Sequence, residues 1–388
     1  MSLRPRVFLN ASTCVVGGGV QVAVGFLHHV HQRLDEIGWE VVAVASPQVY
    51  EQCKALPSRP GWRLELITPS PASVLGGRGS RRRIHGLIAE FNAQICFTVF
   101  GPSYLWLDIP ELSGFADPAV TNPNRHYLRN HRLVPKLYKL FITRVKALAV
   151  RRVRRFWVET STAKAGLAHR LGISPDRIDV VPNAVNRLFV PLPGPPPPGR
   201  IRILHLSAYY PHKNHAFLLP VAKALRRLHP DFDFEFVVTL PQDGQPWKEL
   251  SANFDQAGLA ERIRTRGYLE VKNCPAAYRD CHVVFHPSLL EVFSATYLEA
   301  FAAGRPVVAS DLDFAHEVCG DAASYFDPTS ADEAAQALFH VCTNEEHRHA
   351  MISKGIRRLA AFPSSGDKNQ RLVDMVNMEI ALMNKNHD

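Results

Sequence analysis

Two rhythms alternate along the 388 residues of the chain. Short runs rich in Val, Ile, Leu and Phe are separated by longer stretches whose apolar positions recur at helical spacing. The short runs read as strands buried on both faces, and the amphipathic stretches as helices that cover them. In the first half the pattern predicts strands at 6–9, 40–46, 63–67, 94–97, 155–158 and 179–181, with helices such as 20–37 and 163–171 between them. In the second half it predicts strands at 201–206, 233–239, 281–286, 306–309 and 324–326. This alternation is the sign of an α/β chain with parallel sheets covered by helices. Because it occurs twice, it predicts two doubly wound domains.

The two halves are separated by VPLPGPPPPG at 190–199. Successive prolines impose an extended path and remove N–H donors, so neither sheet could take this stretch as a central strand. The predicted organisation is a first domain over 1–182, a second over 183–365, and a last helix within 366–388 that crosses back to the first domain.

Composition narrows the classes. Hydrophobic residues are 46% and charged residues 21%, enough apolar surface to build cores and too much for a disordered chain. The seven cysteines are odd in number, scattered and without a Cys-x-x-Cys pair, so they read as reduced thiols of a cytoplasmic protein. The histidines show no paired zinc spacing, and no metal site is expected. Residues 7–32 carry no Asp, Glu, Lys or Arg, but Asn10, Ser12, Thr13, the Gly17-Gly18-Gly19 triplet and Gln21 interrupt them. A strand, a loop and a helix fit that interruption better than a membrane span.

The charge is +9, from 45 Lys and Arg against 36 Asp and Glu, and favours an anionic partner. Much of the excess lies in 125–155, which contains no acidic residue. Arg129, Arg132, Lys136, Lys139, Arg144 and Lys146 are interleaved there with Leu, Val, Ile and Phe. A basic amphipathic stretch of this kind suits an anionic lipid surface, and Arg78, Arg81, Arg82 and Arg83 can add to it. Nucleic-acid binding would require stacking platforms among the basic residues, and Tyr127 and Tyr138 do not make one, so no nucleic-acid partner is expected.

The richest segment is HPSLLEVFSATYLEAFAAGRPVVAS at 286–310, a strand, loop, helix and strand. A loop that follows a parallel strand delivers its residues to the carboxyl edge of the sheet, and a helix opening near Ser294 points free N–H groups there, a ready site for an anion. Glu291 and Glu299 frame that site. With VVPNAV at 180–185, SAYYPHKN at 207–214, EVCGDAA at 317–323 and FDP at 326–328, the segment resembles the family-four retaining glycosyltransferases of GT-B fold, of the bacterial surface-polysaccharide or lipopolysaccharide type. The likeness is close over roughly 180–332 and covers the first half in outline.

The resemblance implies two Rossmann-like domains facing across a cleft. It implies transfer of a sugar from a nucleotide-diphosphate donor to a saccharide or lipid-linked acceptor, with retention and without a cofactor or metal. Lys213 would be the phosphate cation. Ser294, Ala295, Thr296 and Tyr297 would surround the phosphates, Glu299 would hold the ribose diol, and Glu291 would lie by the donor sugar. Ser207 and Tyr268 would complete the donor side, and Gly18 and Gly19 would approach it from the first domain. The sequence departs from the family pattern at three places. Ala208 stands where an Arg is usual, Val292, Ser294 and Thr296 replace two glycines and a proline, and Asp117 occupies the place of the first domain's usual His. A GT-B sugar-nucleotide epimerase and a non-catalytic sugar-nucleotide sensor are the alternatives, since a fold does not fix a reaction. The expected location is the cytoplasm, peripheral to the inner face of the membrane.

Overall fold

A computed structural model describes residues 4–74, 76–129, 144–191, 196 and 198–385. The chain divides into two compact units. One comprises the described parts of Met1–Thr121, Arg132–Pro182 and Ser364–Asp388; the other those of Asn122–His131 and Asn183–Pro363.

The first unit is built on seven parallel strands: β1 (Arg6–Ala11), β2 (Glu40–Ala45), β3 (Trp62–Leu66), β4 (Ile95–Thr98), β5 (Glu111–Gly114), β6 (Arg155–Val158) and β7 (Ile178–Val180). They lie in the order β3-β2-β1-β4-β5-β6-β7, with β1 in register from Arg6 opposite Glu40 to Ala11 opposite Ala45. The period of two sorts side chains between the faces. Val7 and Leu9 join a core with Phe26, Leu27 and Val30 of the helix Gly17–Gln32 and with Leu372, Val373 and Val376 of the helix Ser365–Lys385. Phe8 points to the opposite core, with Ile84 and Leu87 of the helix Gly77–Phe91.

The second unit holds β8 (Ile201–His205), β9 (Phe234–Val238), β10 (Ile263–Thr265), β11 (Val283–His286), β12 (Val307–Ser310) and β13 (Ala323–Phe326), all parallel, in the order β10-β9-β8-β11-β12-β13. Ile203 faces Leu218, Val221 and Leu225 on one side, and Leu204 faces Tyr297, Leu298 and Phe301 on the other. In both sheets the strand order reverses beside the first strand, so the crevice at the carboxyl ends falls at β1 and β4 in one unit and at β8 and β11 in the other.

Four elements differ from the sequence pattern. The expected helix 20–37 begins at Gly17 and breaks at Arg33, giving Gly17–Gln32 and Leu34–Ile37. The glycine triplet therefore opens that helix rather than forming the loop before it, and Gly17 enters it at φ +62°, a left-handed value that glycine adopts without strain. β5 and β10 carry almost no pattern: ELSG is short and half polar, and IRT has three residues. The sequence pattern places the segment after Thr121 in the first domain, yet its described part packs with the second unit. The final helix starts at Ser365 and belongs to the first unit's core.

Candidate functional site

The second unit gathers its ionisable groups at the carboxyl ends of β8 and β11. After β8 the chain turns through Pro211–Lys213 and Asn214, whose left-handed φ of +60° redirects the backbone. Lys213 Nζ lies 2.6 Å from Glu291 Oε1, with side chains only 15% and 9% exposed. Burial alone would raise the Glu291 carboxyl, but the Lys213 ammonium holds it below the ordinary carboxylate range.

Glu291 precedes the helix Ala295–Ala302, which ends at Ala303 before Gly304 turns the chain with φ +64° into β12. Ser294 is its N-cap but makes no capping bond. Its Oγ lies 2.9 Å from His286 Nε2, and the Tyr297 hydroxyl lies 3.0 Å from His286 Nδ1. Burial drives His286 down to about 3, so the ring is neutral and donates at one nitrogen while accepting at the other. Ser294 and Tyr297 are thereby the two ends of one polarised chain. The Tyr297 N–H is bonded to Ser294 O at 3.3 Å, which leaves those of Ala295 and Thr296 at the open mouth of the helix.

Glu299 lies one turn into the helix, where its Oε2 accepts from the Tyr278 hydroxyl at 2.7 Å. Burial raises its carboxyl to about 7, against the pull of the Tyr278 bond and of Lys213. The Lys213 charge therefore acts on both carboxylates. Ser207 is buried, its Oγ 3.2 Å from His205 Nε2 and 3.3 Å from His215 Nε2. Burial lowers both rings, His215 to about 4, so Ser207 sits among neutral imidazoles. Tyr268, in the loop after β10, is 75% exposed, and Ala208 is exposed. The sequence reading missed Tyr278 and gave His286 no part in the site beyond excluding it as a metal ligand. Tyr278 precedes β11 with no motif around it.

In the first unit, Gly18 has open space around it, and a Cβ at Gly19 would meet only the Phe100 ring at 3.6 Å. Asp117 is committed to local bonds: Oδ1 accepts from Ala119 N at 3.0 Å, and Oδ2 pairs with Lys146. The geometry thus gives Asp117 a turn-capping role and an ion pair with Lys146. Arg144 is exposed. Arg129 closes the short helix Arg125–Arg129, and Arg132, Lys136 and Lys139 lie outside the described residues. Among the described residues no helix is long and apolar enough to cross a membrane.

Residues 193–358 match the family model described as glycosyl transferases group 1. An MMP α-(1→4)-mannosyltransferase of Mycolicibacterium hassiacum is 28% identical over 225 residues, 56% of this chain and 52% of that protein. A phosphatidyl-myo-inositol mannosyltransferase of Mycolicibacterium smegmatis is 33% identical over 176 residues, 44% of this chain and 43% of that protein. The chain thus spans about half the length of these relatives or less. Among solved structures, sucrose-phosphate synthase from Thermosynechococcus elongatus superposes with a TM-score of 0.76 at 15% identity, over 98% of this chain and 100% of that one. Anabaena HepE in complex with UDP-glucose gives 0.74 at 14% identity, over 96% and 99%. These likenesses show the fold. Residues 193–358 thus match the group 1 glycosyltransferase model, in a chain whose fold is that of two parallel-sheet, Rossmann-like units of the GT-B class.

Proposed function

We propose that the chain transfers a sugar from a nucleotide-diphosphate donor to a hydroxyl of a saccharide or lipid-linked glycan acceptor, with retention at the anomeric carbon and without a required metal. One observation carries this reading: a largely buried Lys213–Glu291 pair at the mouth of a helix that holds a second, half-buried carboxyl, Glu299, one turn further in. Departure of a nucleoside diphosphate places negative charge on its terminal phosphate. A fixed ammonium and preorganised N–H groups stabilise that charge more in the transition state than in the ground state. Lys213 and the N–H groups of Ala295 and Thr296 supply them. The ammonium does electrostatically what a divalent cation would do, which is the support for metal independence. With His286 protonated at Nε2, Ser294 Oγ accepts from the ring and keeps its own proton for a phosphate oxygen.

Glu299, ionised, accepts both hydroxyls of a ribose diol, and Glu291 stands by the developing positive charge at the sugar. Tyr268 offers a face to the base. The acceptor is assigned to surface-glycan synthesis on the strength of the basic 125–155 stretch, whose described part exposes Leu148 beside Arg144, Arg151 and Arg152. The Arg152 guanidinium lies 5.3 Å from the ring of Trp106, itself 62% exposed. This combination supports peripheral contact with an anionic bilayer, tested by co-sedimentation with anionic and with neutral vesicles.

A thermal-shift screen of UDP, GDP, ADP and dTDP, followed by assay of the matching donors, tests the reading. A ligand at 100 times its Kd stabilises by about 2.7 kcal/mol. One nucleotide should shift the transition, and its sugar conjugate should yield a retained glycoside, in the presence of EDTA as in its absence. No shift with any of the four, or an isomerised sugar from donor alone, would overturn it.

A further inference from the structure

The loop that carries Glu291 is held by three asparagines. Asn214 Nδ2 donates to Pro287 O at 3.2 Å, Asn124 Nδ2 to Leu289 O at 2.6 Å, and Asn122 Nδ2 to Glu291 O at 2.7 Å. The acceptors are alternate carbonyls of one short loop after β11. Between them the Leu289 N–H donates to His212 O at 2.7 Å. Residues 287–291 are therefore tied on one side to the turn that bears Lys213, and on the other to residues 122–124.

The chemistry of the amide is specific. Only its nitrogen can meet a carbonyl oxygen, and at Asn124 the other end is fixed as well, because Oδ1 accepts from Tyr127 N at 3.0 Å and so caps the helix Arg125–Arg129. Asn124 joins that helix to the Glu291 loop with one side chain. Nothing in the residues around 122 announces this, since an Asn-Pro-Asn run ordinarily reads as a turn.

The contact between Lys213 and Glu291 is a single short ion pair between largely buried groups. A loop displaced by even about 1 Å would lose it, and misplacement on that scale costs up to about 100-fold in rate. We propose that Asn122, Asn124 and Asn214 are positioning residues that set the Glu291 carboxylate against Lys213, and that the segment beginning at Asn122 is a working part of the second unit's site. This rests on the glycosyltransferase reading for its consequence in turnover, though not for its consequence in loop order.

The test uses the full chain with Asn122→Asp and Asn124→Asp. Each keeps the shape of the side chain, and Asn124→Asp retains an oxygen to cap the Tyr127 N–H, but both place a carboxylate oxygen against a carbonyl. Three readouts are taken: hydrogen exchange over residues 288–293, kcat and KM for the donor, and the nucleotide-induced thermal shift. Exchange in 288–293 should rise about tenfold with β8 and β12 unaltered, and kcat should fall about 10- to 100-fold, while KM and the nucleotide shift stay within about twofold. Unaltered exchange in both variants overturns the proposal, as does loss of the nucleotide shift in step with kcat, which marks general disruption of the site. Should the wild-type chain neither bind a nucleotide nor transfer a sugar, the glycosyltransferase reading fails, and the exchange arm still decides whether these asparagines hold the loop.

Discussion

The two units share a parallel sheet whose order reverses beside its first strand, yet their carboxyl edges are chemically unlike. At the ends of β1 and β4 in the first unit the buried polar groups form one hydrogen-bonded chain that leads to the Glu111 carboxyl, whose partners are hydroxyls. Ser12 Oγ donates to Asn10 Oδ1 at 2.6 Å, Asn10 Nδ2 to Thr98 Oγ1 at 3.3 Å, Thr98 Oγ1 to Glu111 Oε1 at 2.6 Å, and Ser103 Oγ to Glu111 Oε2 at 3.2 Å. Burial raises Glu111 to about 7. In the second unit an ammonium and an ionised carboxylate stand at the start of a helix with no capping side chain. Topology decides where a site can form; side chains at that edge decide whether it handles charge.

The largest effect expected of this difference is on turnover. Lys213→Ala should lower kcat about 100- to 1,000-fold, as removal of a preorganised electrostatic group does. It also leaves Glu291 buried without its counter-charge, so stability should fall, and adding Glu291→Gln should restore the melting temperature without restoring kcat. Glu111→Gln, the corresponding change in the first unit, should leave kcat within a few-fold, because Glu111 touches only hydroxyls of its own network. Equal losses at 213 and 111 in a steady-state assay would erase the contrast.

A tenfold effect is expected from pH. If a ribose diol binds the ionised form of Glu299, then with its carboxyl near 7 the ionised fraction rises from about 0.1 at pH 6 to about 0.9 at pH 8. Apparent affinity scales with the competent fraction, so nucleotide Kd should tighten about tenfold over that range. The nucleotide's terminal phosphate titrates near pH 6 as well. Titration calorimetry on Glu299→Gln isolates that contribution, and an identical slope in the variant would remove Glu299 from the diol.

Acidification should separate the units further. In the second, burial lowers His205, His215, His282 and His286, and their stabilisation is present above the unfolded value near 6.5 and lost as pH falls toward the folded ones, with Glu299 opposing. In the first, Glu111 has the opposite sign: its folded carboxyl is raised, so its contribution is full below about 4.5 and is lost as pH rises through about 7, against the lowered His29. Hydrogen exchange taken from pH 7 to pH 5, corrected for intrinsic rates, should show β8 and β11 losing protection before β1 and β4. The reverse order would mean that burial of the histidines does not govern acid stability.

The sequence revealed one edge far better than the other, for physical reasons. Glu291, Ser294 and Glu299 are legible because strand, loop and helix are contiguous, so spacing alone places both acids near one helix start. Lys213 comes from a different loop, and it is a family resemblance rather than periodicity that singles it out. β5 was invisible because Glu111, Ser113 and Gly114 have no strand pattern; they are drawn into the sheet by β4 and β6 on either side. Asn122 and Asn124 were missed because their partners are backbone carbonyls some 165 to 169 residues away, and a backbone acceptor leaves no mark on sequence. Asp117 is ambiguous in sequence for a related reason: an Asp before a Pro fits a site loop and a capped turn equally well, and only the structure shows the bond to Ala119 N.

That residue gives the smallest of the expected effects. If acids of the first unit serve the backbone and those of the second serve a ligand, Asp117→Ala should cost about 1 kcal/mol, the usual value of a lost capping oxygen, and Asp117→Asn less, since its amide oxygen still accepts from Ala119. The Lys146 partner adds little to that difference, because an ion pair that remains partly solvated contributes at most about 1 kcal/mol. Urea unfolding followed in parallel with kcat separates the two roles. A capping residue moves stability and leaves turnover at a saturating donor concentration nearly proportional to folded protein; a residue at the reacting sugar would do the opposite, with Asn as damaging to kcat as Ala.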